Sequence, residues 1–217
     1  INGLQNQDRR TKELGIYSSA NLIEPLSDNW ILETELAYDV DEEEGVFNFQ
    51  QEGQTAQNIQ DRSWNTVRAG AGLTYRFGER NNLNFRSTYM TGLLNLQGDA
   101  MRSTRYNYLV NRLSLRIRSK KGYYSFRVNN SPQVPGISQL QTIAQPGSSG
   151  RVSLGNPDLE PAMRYGASGY AWFNDQFRAI SVGLNGGVDY VDNAIGNELT
   201  FAQGQQIYRP VNVSHAW

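Results

Sequence analysis

Apolar residues recur at every second position over most of the chain. The alternation is clearest in residues 14–22 and 30–40, and similar stretches follow at 67–77, 83–89, 109–117, 124–128, 165–173 and 180–190. A period of two places successive side chains on opposite faces of a β-strand, so each stretch predicts a strand with one apolar face. The pattern therefore predicts an all-β fold of about eight or nine antiparallel strands.

The connections between these strands are of two alternating kinds. Short turns are predicted near residues 25–29, 78–82, 119–122 and 174–176, and long polar loops near residues 41–63, 94–104, 130–162 and 191–203. All short turns then lie at one end of the strands. This asymmetry is typical of up-and-down transmembrane β-barrels, whose short turns are periplasmic and whose long loops are extracellular. We expect residues 1–217 to form part of such a barrel domain in a bacterial outer membrane.

Charged residues within the strands occupy the face opposite the apolar one. They are Glu33, Glu35, Asp39, Arg68, Arg76, Arg86, Arg112, Arg116, Arg118, Arg127, Arg164 and Asp189. An Arg that faces lipid near the bilayer midplane costs about 2–4 kcal/mol, whereas a polar lumen tolerates it. The sequence therefore predicts that the apolar face meets lipid and that these charges face the lumen.

Aromatic residues cluster near the ends of the predicted strands. On the short-turn side they are Trp30, Tyr75, Phe77, Phe85, Tyr124, Phe173 and Phe177, and on the other side Tyr38, Tyr89 and Tyr190. Two such girdles are typical of the two interfaces of a membrane barrel. A soluble antiparallel sheet with one face on a core also alternates, and it stays the alternative fold. Gly and Ala on the supposed core face would fill such a core poorly.

The composition excludes several other classes of protein. No run approaches the roughly 18 apolar residues that a spanning helix needs, and no signal-peptide pattern is present. Cysteine is absent, which excludes disulfides and thiolate sites, and the net charge of −1 provides no basic field for nucleic acid. The chain begins with Ile1 and stops at Trp217 within a predicted strand, so we expect it to be part of a longer protein.

Two segments carry a family resemblance. Residues 131–140 read SPQVPGISQL and residues 155–161 read GNPDLEP, with Gly155, Asn156, Pro157, Leu159 and Pro161 in the motif places. They resemble the TonB-dependent receptor barrel, and most closely the Bacteroidota-type outer-membrane β-barrel families, although Ala162 stands where those families often have Glu. Two prolines fix φ and lack amide donors, so we expect the motif to be structural, ending a loop and setting the register of the next strand.

The resemblance implies the C-terminal part of a larger barrel. Such a barrel would have about 22 strands and an N-terminal plug outside this segment, and it would use the TonB system to import a nutrient such as an iron chelate, a glycan or a peptide. The implied partners are outer-membrane lipid, the plug, the TonB system and, at the loops, a surface lipoprotein or the substrate. No cofactor, metal or nucleic acid is implied. A structural or adhesive barrel, a subunit of an envelope complex, and a soluble β-sandwich binding module stay alternative functions.

The eight Arg predicted in the lumen outnumber the four acids there. They can line a path for an anionic substrate, hold an acidic surface of the plug, or pair with acids across strands. Glu33 and Glu35 lie on the predicted strand next to that of Arg68 and Arg76. That neighbourhood favours a cross-strand ladder of charges.

Two other groups of residues are candidates for chemistry. The acidic run Asp39, Asp41, Glu42, Glu43 and Glu44 offers oxygen ligands for a hard cation but lacks the spacing and Gly hinge of a calcium loop, which favours a solvated loop tip. His215 adjoins Ser214, but neighbouring residues of a strand point to opposite faces. We therefore expect no catalytic site and no enzyme activity.

Overall fold

The part of the chain that the structure describes is almost entirely β-structure. A computed structural model describes residues 6–51, 54–98, 101–141, 145–146, 151–202 and 204–216. Within these residues the only helix has four residues, and no helix is long and apolar enough to cross a membrane.

Nine strands of at least twelve residues form the body of the described structure. In chain order the elements are β1 (Asn6–Pro25), β2 (Trp30–Gln51), β3 (Gln54–Phe77), β4 (Asn81–Gln97), β5 (Arg102–Arg118), β6 (Gly122–Gln133), α1 (Ile137–Leu140), β7 (Gln145–Pro146), β8 (Arg151–Ser153), β9 (Ala162–Asp175), β10 (Ile180–Ala202) and β11 (Gln205–Ala216). Only β7 and β8, of two and three residues, are shorter.

All strands belong to one sheet, in the order β1-β2-β3-β4-β5-β6-β9-β10-β11-β8-β7. The nine long strands are each antiparallel to the next. At the far edge, β8 pairs in parallel with β11, and β7 pairs with β8. The predicted all-β, antiparallel, up-and-down fold of eight or nine strands is therefore confirmed.

The register places apolar residues of neighbouring strands side by side. Leu36 pairs with Ala69, Ala69 with Tyr89, and Tyr89 with Leu109. The side chains of Leu36, Tyr89 and Leu109 are all more than half exposed. We call this surface the apolar face. The opposite surface, which carries Glu33 and Arg86, is called the charged face.

Four short turns connect β1 to β2, β3 to β4, β5 to β6 and β9 to β10, at residues 26–29, 78–80, 119–121 and 176–179. The Ser27 hydroxyl accepts a hydrogen bond from the Trp30 amide at 3.2 Å, which closes the first turn. Gly78 has a φ of +68°, a conformation that glycine adopts without steric cost. Because consecutive strands are antiparallel, all four turns lie at one end of the sheet, which we call the short-turn end.

The structure corrects the extent of three predicted loops. The described residues between 41 and 63 belong to strands, since β2 and β3 stay paired from their turn-side ends to Gln51 and Gln54. Residues 191–202 continue β10, and β4 and β5 reach Gln97 and Arg102. Alternation of apolar and polar residues depends on what surrounds the side chains, whereas the ladder needs only backbone groups. The backbone pairing of these strands therefore continues beyond the point where apolar and polar residues cease to alternate.

The core of the described structure lies on the charged face, at the end opposite the short turns. Leu140 and Leu159, from the connection between β6 and β9, are fully buried against Leu96 of β4, and Ile195 packs on them. Val134, from the same connection, packs on a second cluster of Trp64, Met90 and Leu94. The described parts of the connection predicted as the loop 130–162 therefore pack on the charged face at Val134, Leu140 and Leu159.

Candidate functional site

The twelve charges predicted from the sequence share one face of the sheet. Glu33 pairs with Gly72, Gly72 with Arg86, and Arg86 with Arg112. The same row continues through Asn129 and Gly166 to Asp189. The other eight lie an even number of residues from this row on the same strands, namely Glu35, Asp39, Arg68, Arg76, Arg116, Arg118, Arg127 and Arg164. Side chains alternate along a strand, so all twelve belong to the charged face.

Arg86 of β4 forms ion pairs with two acids of β2. Its Nη1 donates to Glu35 Oε2 at 3.0 Å, and its Nη2 donates to Glu33 Oε2. The sequence had favoured Arg68 and Arg76, on the adjacent strand, as the partners of these acids. That expectation is wrong, because the guanidinium that pairs with them comes from the next strand but one.

A glycine of β3, Gly72, leaves room for this interaction. A Cβ on Gly72 would lie 3.3 Å from Arg86 Nε, so a larger side chain there would crowd the path of Arg86 to β2. Gly72 therefore belongs to the charge network, although its own residue type gives no sign of it.

Arg68 also interacts with residues beyond the adjacent register position. Its Nη2 lies 3.7 Å from Asp39 Oδ2 on β2, and its guanidinium carbon lies 5.5 Å from the ring centroid of Tyr17 on β1. The residue opposite Arg68 is the small Ala37, which leaves the side chain free to extend across β2. A guanidinium over an aromatic face gains cation–π attraction.

Arg62 is the most deeply placed charge of the face, with a side chain only 5 % exposed. Its Nη1 donates to Asp41 Oδ2 and to Glu43 Oε2, each at 3.0 Å. Glu43 Oε2 also accepts the backbone amide of Ile137 at 3.0 Å, so the same carboxylate fixes the start of α1. The sequence reading missed Arg62 because it lies in a polar stretch taken for a loop.

The acidic run is divided between the two faces of β2. Asp39, Asp41 and Glu43 lie on the charged face, where Arg68 and Arg62 pair with them. Glu44 lies on the other face, 3.6 Å from Lys12 Nζ. Among the described residues, no group of three or more His, Cys, Asp or Glu is placed to hold a metal ion.

A second part of the charged face has cations without such partners. Arg112, Arg116 and Arg127, on β5 and β6, are exposed and make no ion pair with any described residue. Arg118 lies with its guanidinium carbon 5.8 Å from the Tyr123 ring centroid. The sequences of β4, β5 and β6 contain no Asp or Glu. We call Arg112, Arg116, Arg118 and Arg127 the basic patch.

The acids on the other side of the basic patch are already paired. Asp189 of β10 accepts two hydrogen bonds from Arg164, at 3.1 and 2.6 Å. Asp175, at the end of β9, lies 3.1 Å from Lys121 Nζ. The carboxylates nearest to the basic patch in the sheet are therefore occupied.

The motif at residues 155–161 lies at the opposite end of the charged face, and Asn156 is its main polar anchor. The Asn156 amide nitrogen donates to the Pro210 carbonyl at 3.0 Å, and its backbone N–H donates to the Gln139 carbonyl at 2.7 Å. The side-chain oxygen accepts the Asp158 amide at 3.1 Å. One residue thus connects the motif to α1 and to β11.

Gly155 and Leu159 occupy positions where the neighbouring atoms restrict the residue type. A Cβ on Gly155 would lie 2.0 Å from the backbone oxygen of Gln141, so only glycine allows this approach of the two backbones. Leu159 is fully buried between Leu140 and Leu96. The motif is held by steric fit as well as by hydrogen bonds.

Both prolines of the motif use their carbonyls as acceptors. The Pro157 carbonyl accepts from Arg102 Nη1 at 2.9 Å, and the Pro161 carbonyl accepts from Asn193 Nδ2 at 3.4 Å. Between them, Asn212 of β11 bonds to the backbone oxygen and to the backbone nitrogen of Glu160, each at 2.9 Å. These contacts connect the motif to β5, β10 and β11, immediately before β9 begins.

His215 and Ser214 lie closer than the sequence suggests. The two side chains approach to 3.1 Å between Ser214 Oγ and His215 Nδ1, although they are neighbours on a strand. The sequence places them on opposite faces of the strand, and this contact between neighbouring residues adds no third group to form a catalytic arrangement among the described residues. Both are exposed, and the His215 ring stacks at 6.2 Å on Tyr190 of the neighbouring strand.

Aromatic side chains pack on each other at both ends of the apolar face. At the short-turn end Trp30 and Tyr75 have ring centroids 4.7 Å apart, and Tyr75 and Phe77 5.9 Å. At the other end the rings of Tyr165 and Tyr190 are 6.1 Å apart. The apolar face is therefore bordered by aromatic rows across neighbouring strands.

No protein-family model matches the chain, and no curated protein matches its sequence. Among solved structures, the chain is similar to the siderophore receptor PirA from Pseudomonas aeruginosa, with 11 % identity and a TM-score of 0.42 over 95 % of this chain and 51 % of that one. It is also similar to a mutant of the ferric enterobactin receptor PfeA from Pseudomonas aeruginosa in complex with enterobactin. There the identity is 10 % and the TM-score 0.39, over 96 % of this chain and 48 % of that one. The chain spans about half the length of these two proteins.

Proposed function

We propose that the chain is a stretch of the wall of an outer-membrane β-barrel, with its apolar face against lipid. The observation that carries the proposal is the exposure of large apolar side chains from β1 to β10 on one face, with the twelve charges predicted from the sequence on the other. Four leucines of this face are each more than half exposed, whereas the side chains in the core of a soluble protein are buried. They are Leu22, Leu36, Leu109 and Leu184. Exposed apolar areas of this extent are typical of membrane or protein interfaces. Strands of 12 to 24 residues exceed the roughly 9–11 residues that a bilayer crossing needs.

We further propose that the full protein is a receptor-transporter of the TonB-dependent type. The support is the resemblance that residues 131–140 and 155–161 have to that family, and in the structure the glycine, asparagine, leucine and prolines of residues 155–161 each make a specific contact. The proposed protein has a barrel of about 22 strands around a plug, belongs to the Bacteroidota-type families, and imports an iron chelate, a glycan or a peptide with energy from the TonB system. In this proposal the chain is not an enzyme.

The proposed orientation places the short-turn end in the periplasm and the opposite end outside the cell. Tight turns at one end and longer connections at the other favour this assignment. At the outer end, the connection that contains α1 covers part of the charged face, and the β2–β3 hairpin extends beyond the aromatic row. These segments are the proposed contact surfaces for substrate or for a surface lipoprotein.

Uptake in a deletion strain tests the transport proposal. Loss of the gene should abolish uptake of one nutrient class, and the full-length protein should restore it. A variant in which the segment that contacts TonB is deleted should be inserted in the membrane but should not restore uptake. Unchanged uptake of every tested nutrient in the deletion strain would contradict the proposal and would favour a structural or adhesive barrel, or a subunit of an envelope complex.

Fractionation tests the membrane proposal separately. The full-length protein should appear in the outer-membrane fraction and need detergent for extraction. It should also migrate faster on a gel when unheated, because folded barrels resist the detergent of the gel. Recovery in the soluble fraction without detergent would contradict the barrel and favour the soluble β-sandwich module.

A further inference from the structure

Strands β5 and β6 diverge before they reach the end opposite the short turns. Their ladder begins beside the turn at residues 119–121 and stops at Arg112 and Asn129. Beyond this point β5 stays paired with β4 as far as Arg102, and β6 stays paired with β9 as far as Gln133. The continuous pairing of the nine long strands is therefore interrupted between β5 and β6 over the outer part of their length.

The side chain of Asn130 takes the place of the next step in this ladder. Its Oδ1 accepts the backbone N–H of Asn111 at 2.7 Å, and its Nδ2 donates to the Leu109 carbonyl at 2.8 Å. Directly paired strands lie about 4.8 Å apart. Because a side chain stands here between the two backbones, β5 and β6 are held further apart at Asn130 than along their ladder.

The divergence of the two strands leaves a hollow of about 660 Å³ on the apolar face. The small Ala167 lies in the middle of the hollow, opposite Val128 of β6 and Val188 of β10. Phe85 and Leu113, in the same row of the sheet, complete the wall on the side of β4 and β5. Pockets for small ligands measure about 300–1,000 Å³. Because these walls are apolar, water finds few hydrogen-bond partners between them, and a hydrocarbon chain suits the hollow better.

Asn111 adds one polar group to the hollow. Its side chain lies on the apolar face, two residues from Leu113, and its amide makes no hydrogen bond with any described residue. Asn130, which binds the Asn111 backbone, is opposite Tyr165, and Tyr165 is opposite Tyr190. Asn111 is therefore level with the aromatic row at the end opposite the short turns. Such rows lie at the headgroup level of a bilayer, where the carbonyl groups that link lipid chains to their headgroup are also found.

We propose that the hollow binds one membrane lipid, with a hydrocarbon chain of the lipid along Ala167 and a linking carbonyl that accepts a hydrogen bond from the Asn111 amide. The inference rests on the proposed function, which places the apolar face against lipid, and it adds a defined position for one lipid molecule. A polypeptide strand fits this place less well, because the side chain of Asn130 already occupies the Asn111 N–H and the Leu109 carbonyl that such a strand would use.

Native mass spectrometry tests the proposal on the full-length protein, released from outer membranes in a mild detergent. The unaltered protein should retain one lipid molecule, and Ala167→Phe should lose it, because the added ring fills the hollow. Ala69→Phe is the matched control, since Ala69 lies on the apolar face opposite Leu36 and Tyr89, away from the hollow. This control should retain the lipid.

The polar contact has a test of its own. Asn111→Leu keeps the shape of the side chain and removes its amide, so the fraction of protein that retains the lipid should fall about fivefold for the loss of one hydrogen bond. The same fraction in Asn111→Leu and in the unaltered protein would overturn the role of Asn111.

Equal retention of lipid by Ala167→Phe and by the unaltered protein would overturn the proposal, as would an equal loss in Ala69→Phe. A dimer of the unaltered protein that Ala167→Phe dissociates, with no difference in bound lipid, would also overturn it and would indicate a contact with a second copy of the chain. Lipid-free protein that fractionates with the outer membrane would contradict this proposal alone. Recovery in the soluble fraction without detergent would contradict the proposed function as well.

Discussion

Arg86 and Glu33 form an ion pair across an intervening strand, with Gly72 between them in the same row of the sheet. Neighbouring strands lie about 4.8 Å apart, so the Arg86 side chain must cross the full width of β3 to reach β2. A larger side chain at Gly72 would crowd this path, since a Cβ there would already lie 3.3 Å from Arg86 Nε. The contact therefore depends on three residues of three strands, and it joins β2 to β4 directly.

Gly72→Val should break this contact and weaken the sheet. The valine would fill the space beside Arg86 Nε, which lies 3.3 Å from a Cβ at Gly72. We expect the free energy of unfolding to fall by about 1–3 kcal/mol, measured by urea titration of the protein in lipid vesicles. Gly15→Val is the control, because a Cβ there meets nothing within 4 Å. Equal losses in the two variants would show that strand propensity, and not the Arg86 contact, is responsible.

Gly155→Ala should release the motif from α1. The added methyl would lie 2.0 Å from the Gln141 oxygen, so the two backbones must separate. We expect faster protease cleavage between β6 and β9 in the folded protein, followed by mass spectrometry of the fragments. Gly136→Ala, where a Cβ meets nothing within 4 Å, should leave the cleavage rate unchanged. Wild-type resistance in Gly155→Ala would contradict the steric role assigned to this glycine.

Asn156→Ala should destabilise the protein more than Asn212→Ala. Asn156 is 9 % exposed, and its removal leaves the Pro210 carbonyl without its donor, whereas Asn212 is half-buried and its two hydrogen bonds to Glu160 are exposed. A buried acceptor without a partner costs about 1–3 kcal/mol, and an ordinary hydrogen bond contributes about 0.5–1.5 kcal/mol. Hydrogen exchange of the backbone amides of β9, β10 and β11 measures the loss of stability in each of the two variants. A larger loss of stability in Asn212→Ala than in Asn156→Ala would show that burial does not decide how much these side-chain amides stabilise the protein.

Much of the fold could be predicted because alternation reports directly on the environment of side chains. The pairing of Leu36, Ala69, Tyr89 and Leu109 in one exposed row follows from such alternation. The outer ends of β2 and β3 could not be predicted, since charged and amide residues interrupt the alternation in this part of the sequence. A backbone ladder has no requirement for apolar residues and leaves no sequence signal of its own.

The sequence predicted which face of the sheet carries the charged side chains, but it did not predict which of them form ion pairs with each other. Parity along a strand places Arg86 and Glu33 on the same side, but the choice of partner depends on which intervening residues lack side chains. Arg62 pairs with Glu43, and the same carboxylate accepts the amide of Ile137, which lies 94 residues from Glu43 in the sequence. Short-range patterns contain no information on such contacts.

Leu184→Arg should impair membrane insertion, whereas Asn185→Arg should not. The two residues are adjacent on β10, with Leu184 on the apolar face and Asn185 on the charged face. An Arg in the middle of the lipid-facing surface costs about 2–4 kcal/mol, whereas the charged face already accommodates many Arg. The yield of heat-modifiable protein in outer membranes, compared between the two variants, is the readout. A loss of equal size in both would contradict the assignment of the faces.

The most direct test of the account is the environment of successive side chains along β10 in the full-length protein. Single cysteines at positions 180–190 carry a fluorescent label, and two quenchers are compared, one in brominated lipid chains and one dissolved in water. Labels at Val182, Leu184, Gly186 and Val188 should be quenched by the lipid, and labels at Gly183, Asn185 and Gly187 by the dissolved quencher only. Quenching of every position by the dissolved reagent, without a period of two in the lipid signal, would contradict the claim that the apolar face meets the membrane.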